Sequence, residues 1–278
     1  MIVAHLDAAE LRLSHIAIYP VKSCAALNLP MANVEALGLA NDRRWMLVEA
    51  ETGKFITGRE CPELVLLKAS VLDNGLELSA SGRKPLSAFK AIFTDQQRQV
   101  RIWSDDVLAA TANGATNQAL SQWLGRRVEL VYFDARSQRD LDQKYAQAGD
   151  QTAFSDGYPI LLISQASLDA LNSRLNTPIT MQRFRPNLVV SGAIAAHAED
   201  NWRQVQIGAA LFDVAKACVR CVFTTVDAEL GVRDPSGEPL NTLKNYRRTP
   251  KGITFGMNLI PRSPGAVIRL GDAVRVLS

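Results

Sequence analysis

The sequence predicts a mainly β fold with some α-helix, an α+β protein built of two β-rich, barrel-like units. Many short segments alternate apolar and polar residues and stop at glycine, proline or asparagine turns. Only two segments combine the apolar spacing and the capping residues of amphipathic helices. A length of 278 residues with 47% hydrophobic content is enough to bury one large core or two smaller ones.

The first third of the chain is predicted to consist of short strands joined by tight turns. The stretch "LRLSHIAIYP" alternates apolar and polar residues until Pro20, and "RWMLVEAETGKFIT" indicates two strands joined near residues 52–53. Another hairpin is predicted between "LVLLKASVL" and "LELSA". Its turn contains Asp73, Asn74 and Gly75, and asparagine and glycine tolerate the positive φ that such a turn requires.

The first helix is predicted in "TNQALSQWLG". Thr116 can cap its first turn and Gly125 can end its last one. Leu120, Trp123 and Leu124 would then lie together on its apolar face.

A domain boundary is predicted directly after this helix, dividing the chain into residues 1–125 and residues 126–278. Beyond the boundary, "VELVYF" is a predicted strand, residues 138–156 form a polar loop, and "YPILLIS" is a buried strand. The second domain therefore begins with strands, as the first one does.

The second helix is predicted in "SQASLDALNSRL". Ser164 is its capping residue, and Leu168, Leu171 and Leu175 lie on one side. The remaining predicted strands are "NLVVSG", "VQIGAALFDVAKAC" and "AVIRLGDAVRVL", the last of which doubles back at residues 271–272.

Composition excludes several classes of protein. The net charge is only +3, from 31 basic and 28 acidic residues, so nucleic acid is not an expected partner. The N-terminus lacks a signal-peptide pattern, and no segment has the roughly 18 apolar residues of a membrane span. Four cysteines are too few for a disulfide scaffold. We therefore expect a soluble, cytoplasmic monomer in which any special cysteine is chemically active.

The stretch "CVRCVFTTVD" places Cys218 and Cys221 three residues apart on either side of Arg220. A structural zinc site would need two more ligands, and Cys24, Cys61 and the three histidines are scattered singly. No iron–sulfur spacing is present, and the predicted strand, kink and strand do not match a thioredoxin-like setting. Two buried core cysteines remain an alternative, although a buried arginine between them would need an anionic partner. The residues alone do not choose between the two cysteines.

Several cations stand in apolar surroundings, where a charge needs an anionic partner. Lys22 and Ser23 in "YPVKSC" offer a cation and a hydroxyl suited to phosphate, although a solvated lysine is the simpler interpretation. In "NDRRW", Arg43 and Arg44 must point to opposite sides of a strand, so one can face inward.

The stretch "FRPNLVVSG" places Arg185 and Asn187 at the entry of a very apolar strand. A salt bridge to an internal carboxylate would explain Arg185 as well as a ligand would. Taken together, Lys22, Arg43, Arg185 and Arg220 would suit one phosphate-bearing ligand with a cysteine nearby.

Six blocks, in order along the chain, resemble the MOSC-domain family: "IYPVKSC", "NDRRW", "SDGYPILLISQASLDALNSRL", "FRPNLVVSG", "CVRCVFTTVD" and "EPLNTLKNYR". The resemblance is closest to two-part members typified by the mitochondrial amidoxime-reducing component and bacterial N-hydroxylamino-compound reductases. It covers essentially the whole chain. It implies an N-terminal MOSC β-barrel domain, a second β-barrel formed by the MOSC domain, and a cofactor between them.

The implied cofactor is the molybdenum cofactor, a pterin whose dithiolene sulfurs hold molybdenum and whose phosphate anchors the group. In the family, the cysteine of the "RC-x-TTVD" block ligates the metal, which corresponds to Cys221 here. The other matched blocks imply cofactor contacts from Lys22, Ser23, Arg43, Arg185, Asn187 and Arg220.

Two positions depart from the family pattern. Gly157 and Tyr158 stand where relatives tend to have small hydroxyl residues that contact the cofactor, so a backbone contact is expected there. Val219 stands before Arg220 where relatives can have serine, so this contact also loses its hydroxyl group.

The resemblance implies an enzyme that reduces N-hydroxylated compounds, such as amidoximes, hydroxylamines and N-hydroxylated bases, by oxygen transfer to molybdenum. Cys221 would be the only protein ligand, and a soft thiolate suits such a metal. Asp227 is a candidate proton relay because it is close in sequence to this cysteine.

No ferredoxin domain is recognisable up to Ser278, so electrons are expected from a separate ferredoxin-, flavin- or cytochrome-type carrier. An alternative function is a molybdenum cofactor carrier or a sulfur-handling module in which the cysteine bears a persulfide. A pyridoxal phosphate site at Lys22 is a weaker alternative, because no carboxylate for the pyridinium nitrogen can be identified.

Overall fold

The computed structural model describes residues 10–73, 75–81 and 85–278, so the predictions for Asn74 and the first nine residues lie outside it. It confirms a mainly β fold with some α-helix. No helix among the described residues is long and apolar enough to cross a membrane.

The strands are β1 (Arg12–Ile18), β2 (Leu27–Asn28), β3 (Met31–Glu35), β4 (Gly38–Leu39), β5 (Trp45–Glu49), β6 (Leu67–Leu72), β7 (Gly75–Ala80), β8 (Leu86–Ala91), β9 (Phe93–Ile102), β10 (Asp105–Ala112), β11 (Val128–Tyr132), β12 (Ile160–Ser164), β13 (Leu188–Ser191), β14 (Gln204–Ile207), β15 (Ala210–Val219), β16 (Arg248–Thr249), β17 (Gly252–Pro261), β18 (Val267–Arg269) and β19 (Val274–Val276). The α-helices are α1 (Gly114–Leu124), α2 (Gln165–Asn172) and α3 (Leu240–Tyr246). Short 3-10 helices cover Pro62–Leu66, Met181–Phe184, Ala198–Asn201 and Val222–Thr225.

One large sheet and three small ones form the framework of the described chain. The large sheet has the order β19-β14-β15-β17-β12-β13-β1-β2, with β16 paired to β17. The small sheets have the orders β5-β11-β10-β9, β18-β3-β4 and β6-β7-β8. The first two strands of the chain, β1 and β2, therefore complete a large sheet that consists mainly of later strands.

The strand pairing does not form the closed barrels expected from the sequence. In the described chain, β19 and β2 remain at the two ends of the large sheet. A single bridge between Arg12 and Ala273 connects β1 with the segment before β19. This contact stays short because β2 occupies the same edge of β1 at Ala17 and Ile18.

Both predicted helices are present, but the cap of α1 was assigned to the wrong residue. Asn113 caps α1, since its side chain accepts the backbone N–H of Thr116 at 2.9 Å. Gly125 ends the helix in the left-handed region, as predicted. Ser164 caps α2, also as predicted, by accepting the backbone N–H of Ser167 at 3.1 Å.

The sequence analysis did not predict α3, which has no side-chain cap. It also predicted that the last two strands form a hairpin, which was wrong. β18 pairs with β3 and β19 pairs with β14, so the turn between them joins two sheets. Residues 138–156 form a loop in which buried Arg139 donates to the carbonyls of Ala153 and Ser155. The same arginine connects the loop to β10 by donating to Asp105 at 2.7 Å.

The domain division after residue 125 stays a prediction. β11 follows the division in sequence but pairs with β5 and β10. In the opposite direction, β1 pairs with β13 and β3 pairs with β18. The two halves of the chain therefore exchange strands, and this exchange brings their loops together around one cavity.

Candidate functional site

Ten of the eleven predicted site residues line one cavity between the two halves of the chain, which we call the Cys221 cavity. They are Lys22, Ser23, Arg43, Gly157, Tyr158, Arg185, Asn187, Val219, Arg220 and Cys221. Six cationic side chains and one carboxylate line this cavity among the described residues. Such an excess of positive charge suits an anionic ligand.

Strand β15 delivers Cys221 to the cavity. Its pairing with β17 shifts register twice within residues 214–219, and such bulges re-aim side chains beside functional sites. The strand ends two residues before Cys221, whose own backbone is extended, and a 3-10 helix follows instead of the predicted second strand. Cys218, Arg220 and Cys221 can therefore all line the same cavity.

Three of the predicted ligand residues have a left-handed backbone, which non-glycine residues rarely adopt. The φ angles are 66° at Ser23, 48° at Arg43 and 57° at Arg185. Each such conformation costs on the order of 1–3 kcal/mol and persists only where surrounding contacts enforce it. This strain aims three side chains from separate loops at one cavity.

Arg43 is fixed inside the protein by a network of hydrogen bonds. It donates to Asp42 Oδ2 at 2.5 Å, to Asn187 Oδ1 at 2.9 Å and to the Arg185 carbonyl at 3.1 Å. Although burial opposes its charge, the carboxylate of Asp42 raises the pKa of Arg43 above its ordinary value. Arg44 does not line the cavity and donates to Glu35 instead. Both arginines precede β5, and Arg43 has a positive φ, so strand alternation is not the cause of this difference.

Arg185 and Arg220 have buried polar atoms without a partner in the described structure. Arg185 donates one bond to the carbonyl of Cys24 at 2.7 Å, but its Nη2 has no acceptor. Arg220 donates to the carbonyl of Phe184 and to Cys218 Sγ, but its Nε has no acceptor. Burial lowers the pKa of Arg185 to about 10. Buried donors of this kind are costly unless a ligand satisfies them.

Lys22 lies at the other side of the cavity and is almost fully buried. Its Nζ donates to the carbonyl of Phe154 at 2.8 Å and to Asp156 Oδ1 at 2.5 Å. Burial lowers the pKa of Lys22 to about 8, although Asp156 opposes this change. Desolvation disfavours ionisation of Asp156, but Lys22 and Arg59 outweigh it and hold the carboxyl pKa well below its usual range.

Arg59 also lines the Cys221 cavity, although it was not selected from the sequence. Its Nε donates to Cys221 Sγ at 3.1 Å, and its Nη2 donates to Asp156 Oδ2 at 2.8 Å. The guanidinium also lies 4.6 Å from the ring centroid of Trp103, a residue with a left-handed backbone. The stretch "FITGRECPE" has no signal of this contact, because Arg59 and Cys221 are 162 residues apart in sequence.

Gly58 allows this approach of the two halves. A Cβ atom at Gly58 would lie 2.2 Å from the Phe223 ring, next to the turn that holds Cys221. Phe223 in turn lies 5.3 Å from the guanidinium of Arg185. The missing side chain at Gly58 thus lets the Arg59 loop pack directly against the cysteine turn.

The two positions that depart from the family pattern also line the cavity. A Cβ atom at Gly157 would meet nothing within 4 Å, so the protein itself does not require glycine there. Tyr158 is buried and its hydroxyl has no partner among the described residues. Val219 is 48% exposed and offers its backbone and an apolar surface.

Asp227 is the one predicted site residue that does not line the Cys221 cavity. It lines a neighbouring cavity, where its carboxylate accepts from Arg183 Nη2 at 3.0 Å. Its other oxygen accepts the backbone N–H groups of Glu229 and Leu230. Its role as a proton relay stays a prediction, and this placement does not favour it.

The described residues contain no cluster of three or more His, Cys, Asp or Glu side chains that could hold a metal ion. Cys24 is buried, and burial raises the pKa of its thiol to about 12. Cys218 contacts Arg220, whereas Cys221 contacts Arg59 in the cavity. A metal in this cavity would therefore need most of its ligands from a bound organic group rather than from the protein.

Comparisons with known proteins identify the family of the chain. The model of the MOSC N-terminal beta barrel domain matches residues 10–127, and the model of the MOSC domain matches residues 149–275. Mitochondrial amidoxime-reducing component 1 of Mus musculus is 36% identical, over 94% of this chain and 80% of its own. The human protein of the same name is 35% identical, over 94% and 81%.

One solved structure, the YUAD protein of Bacillus subtilis, covers 96% of this chain and 93% of its own at 11% identity and a TM-score of 0.38, which is too low to bear on the site. The two matched domains define a two-part MOSC protein. The chain belongs to the MOSC family, among the relatives of the mitochondrial amidoxime-reducing components. These relatives are named as mitochondrial proteins, so the predicted cytoplasmic location is not confirmed.

Proposed function

We propose that this protein binds a molybdenum cofactor in the Cys221 cavity and reduces N-hydroxylated compounds with electrons from a separate carrier. The observation that supports it best is that six cationic side chains from both halves of the chain line the cavity that contains Cys221. The names of the relatives, amidoxime-reducing components, support the same class of substrate.

The residues of the cavity fit the anionic organic group of such a cofactor. The unpartnered Nη2 of Arg185 and Nε of Arg220 are buried donors that a phosphate or a pterin edge could satisfy. Bound in this way, the cofactor would supply a metal that takes the oxygen of an N–O bond. The donor set of one soft thiolate with surrounding cations suits a metal held mainly by its own dithiolene sulfurs.

Each side chain has a distinct role in this proposal. Cys221 would hold the metal, and Arg59 would keep its sulfur in position through Asp156 and Trp103. Arg43, Arg185 and Arg220 would neutralise the anionic group. Gly157 would leave room for the group, because nothing occupies the space above its Cα.

The pyridoxal phosphate alternative is less favoured by these contacts. A Schiff base at Lys22 would require its nitrogen to give up the bonds to Phe154 and Asp156. The cationic cavity would still suit a phosphate, so the two cofactors are separated by direct analysis of the purified protein.

The test is to purify the protein from a host that makes molybdenum cofactor and to measure molybdenum and pterin per chain. Dithionite-reduced methyl viologen and benzamidoxime are then supplied, and benzamidine is quantified. We expect stoichiometric molybdenum and steady turnover, which Cys221→Ser abolishes and Cys218→Ser largely retains. Stoichiometric cofactor without turnover would instead support a cofactor carrier or a sulfur-handling module. The opposite ranking of the two cysteine variants would overturn the ligand assignment.

A further inference from the structure

Three lysines surround one tyrosine ring on the surface beside the Cys221 cavity. The ammonium groups of Lys144, Lys216 and Lys251 lie 5.6, 5.1 and 5.2 Å from the ring centroid of Tyr145. Lys251 also donates to Tyr145 Oη at 2.7 Å. Lys216 lies 4.9 Å from the ring centroid of Tyr158 as well. We call these five residues the lysine patch.

The three lysines of the lysine patch outnumber the two carboxylates beside them, Asp140 and Asp142. Ion pairs of the described chain involve none of the three lysines, and Asp150 and Asp213 are both bound to Arg262. Asp142 acts on Tyr158 electrostatically and accepts the backbone N–H of Lys144 at 3.0 Å, so it offsets part of the positive charge. Like charges held this close repel each other, so a partner that carries carboxylates would relieve the repulsion.

The lysine patch is continuous with the entrance to the Cys221 cavity. Lys216 and Tyr158 line a groove that shares Arg59, Asp156 and Val219 with that cavity. The other carboxylates of this groove are Asp105, which is paired with Arg139, and the two acids Asp140 and Asp142. Lys216 precedes Cys221 by five residues, so their Cα atoms are at most about 18 Å apart along an extended chain. Electron transfer weakens steeply with distance, and this surface offers a carrier a short approach to the cysteine.

The composition of the surface favours a protein partner. The ring of Tyr145 lies among charged lysines, and the 48% exposed Val219 lines the same groove as Lys216. Aromatic and apolar groups beside charges are typical of protein interfaces. Complexes of redox proteins bury little area and rely on complementary charge to steer the encounter. A net charge of only +3 does not supply the broad field that a nucleic acid or a lipid surface would need.

We propose that the lysine patch is the docking surface for an acidic, one-electron carrier protein that reduces the Cys221 site. This inference rests on the proposed function. Each turnover needs two electrons and two protons: the N–O bond breaks, an N–H bond forms and the oxygen leaves as water. Two reduced carriers are each oxidised by one electron in the process, so docking is repeated and must be brief.

The test uses the cofactor-loaded protein and two acidic one-electron carriers, a plant-type [2Fe–2S] ferredoxin and the soluble domain of a cytochrome b5. The double variant Lys144→Glu/Lys251→Glu reverses the charge of the patch. Lys54→Glu/Lys90→Glu, at exposed positions of the first half, changes net charge equally and is the matched control. Binding is measured by calorimetry at low ionic strength, and turnover is measured with each carrier and with methyl viologen.

We expect at least one carrier to bind the unmodified protein, and the patch variant to weaken that binding and carrier-driven turnover about tenfold or more. Turnover with methyl viologen should stay unchanged, and the control variant should lose less than about twofold. Failure of both carriers to bind, or equal losses in the two variants, would overturn the proposal. The proposal would also be overturned if neither carrier bound but the unmodified protein sedimented with phosphatidylserine vesicles and only the patch variant lost this sedimentation. Absence of dye-driven turnover in the unmodified protein would instead contradict the proposed function, while binding still tests the surface.

Discussion

Arg183 lines both the Cys221 cavity and the neighbouring cavity that contains Asp227. The charged side chains that line the Cys221 cavity are mainly cations, whereas those that line the neighbouring cavity are mainly carboxylates. Four carboxylates and two arginines line the neighbouring cavity among the described residues. Its acids are satisfied locally: Asp234 accepts from Ser236, and Glu238 accepts from Thr242. These carboxylates thus have hydrogen-bond partners within their own turns, so they do not require a ligand.

The Cys221 cavity has the reverse character. Its arginines come from distant parts of the chain, and two of them keep buried donors without an acceptor. Of the two cavities, only the Cys221 cavity contains buried donors without an acceptor among the described residues, and a ligand that accepts hydrogen bonds would satisfy them. The following variants test this distinction.

The largest effect is expected from Arg185→Met, which keeps a long side chain but removes the guanidinium. Cofactor affinity should fall by about 2–5 kcal/mol, because a buried charged contact is lost. The apo-protein should be as stable as the unmodified protein or more stable, since an unsatisfied buried donor disappears. Pterin content and thermal unfolding of the apo-protein measure the two effects.

The matched control is Arg174→Met, which removes a cation from the neighbouring cavity. It should purify with its full content of pterin. Normal pterin in Arg185→Met, or equal losses in both variants, would show that the unsatisfied donors are not the anchor.

Arg59→Ala should have the next largest effect. The variant loses the bonds to Cys221 Sγ and Asp156, and removal of such outer partners of a metal ligand typically costs about 10–100-fold in activity. We expect turnover per bound molybdenum to fall by about tenfold while the pterin content stays high. Arg59→Lys should not restore it, because an ammonium cannot reproduce the two-directional contact of a guanidinium. Full turnover per molybdenum in either variant would remove Arg59 from the site.

Lys22 provides a test through the pH dependence of stability. Its pKa falls from 10.5 to about 8 on folding, so the unfolded chain binds more protons between these pH values. The burial cost is complete below about pH 8 and is relieved as the pH rises towards 10.5. Relative to Lys22→Met, the free energy of unfolding of the apo-protein should therefore rise over this interval, by on the order of 1–3 kcal/mol. If the difference in free energy of unfolding between the two proteins did not change with pH over this interval, the burial cost assigned to Lys22 would be contradicted.

The smallest effect is expected from Asp227→Asn. The asparagine can still accept the N–H groups that hold the turn, and the residue does not line the Cys221 cavity. Turnover per molybdenum should change by less than about twofold. A tenfold loss, with unchanged pterin content and unfolding temperature, would restore Asp227 as a proton relay.

Much of the fold and the site could be predicted from the sequence, for physical reasons. The alternation of apolar and polar residues, together with turn residues, identifies strands and hairpins from short segments. A charged side chain beside an apolar strand, such as Arg185, requires an anionic partner or a ligand. Thr116 was mistaken for the cap because the capping residue, Asn113, lies just before the segment that was chosen. Arg59 and the exchange of strands between the halves are tertiary features, which no local pattern of the sequence contains.

The most direct measurement is X-ray absorption at the molybdenum edge of the cofactor-loaded protein, compared with its Cys221→Ser variant. We expect one metal–sulfur scatterer more in the unmodified protein than in the variant, with Cys218→Ser identical to the unmodified protein. An unchanged sulfur count in Cys221→Ser, in a sample that contains molybdenum, would contradict the central claim that Cys221 presents its thiolate to the metal.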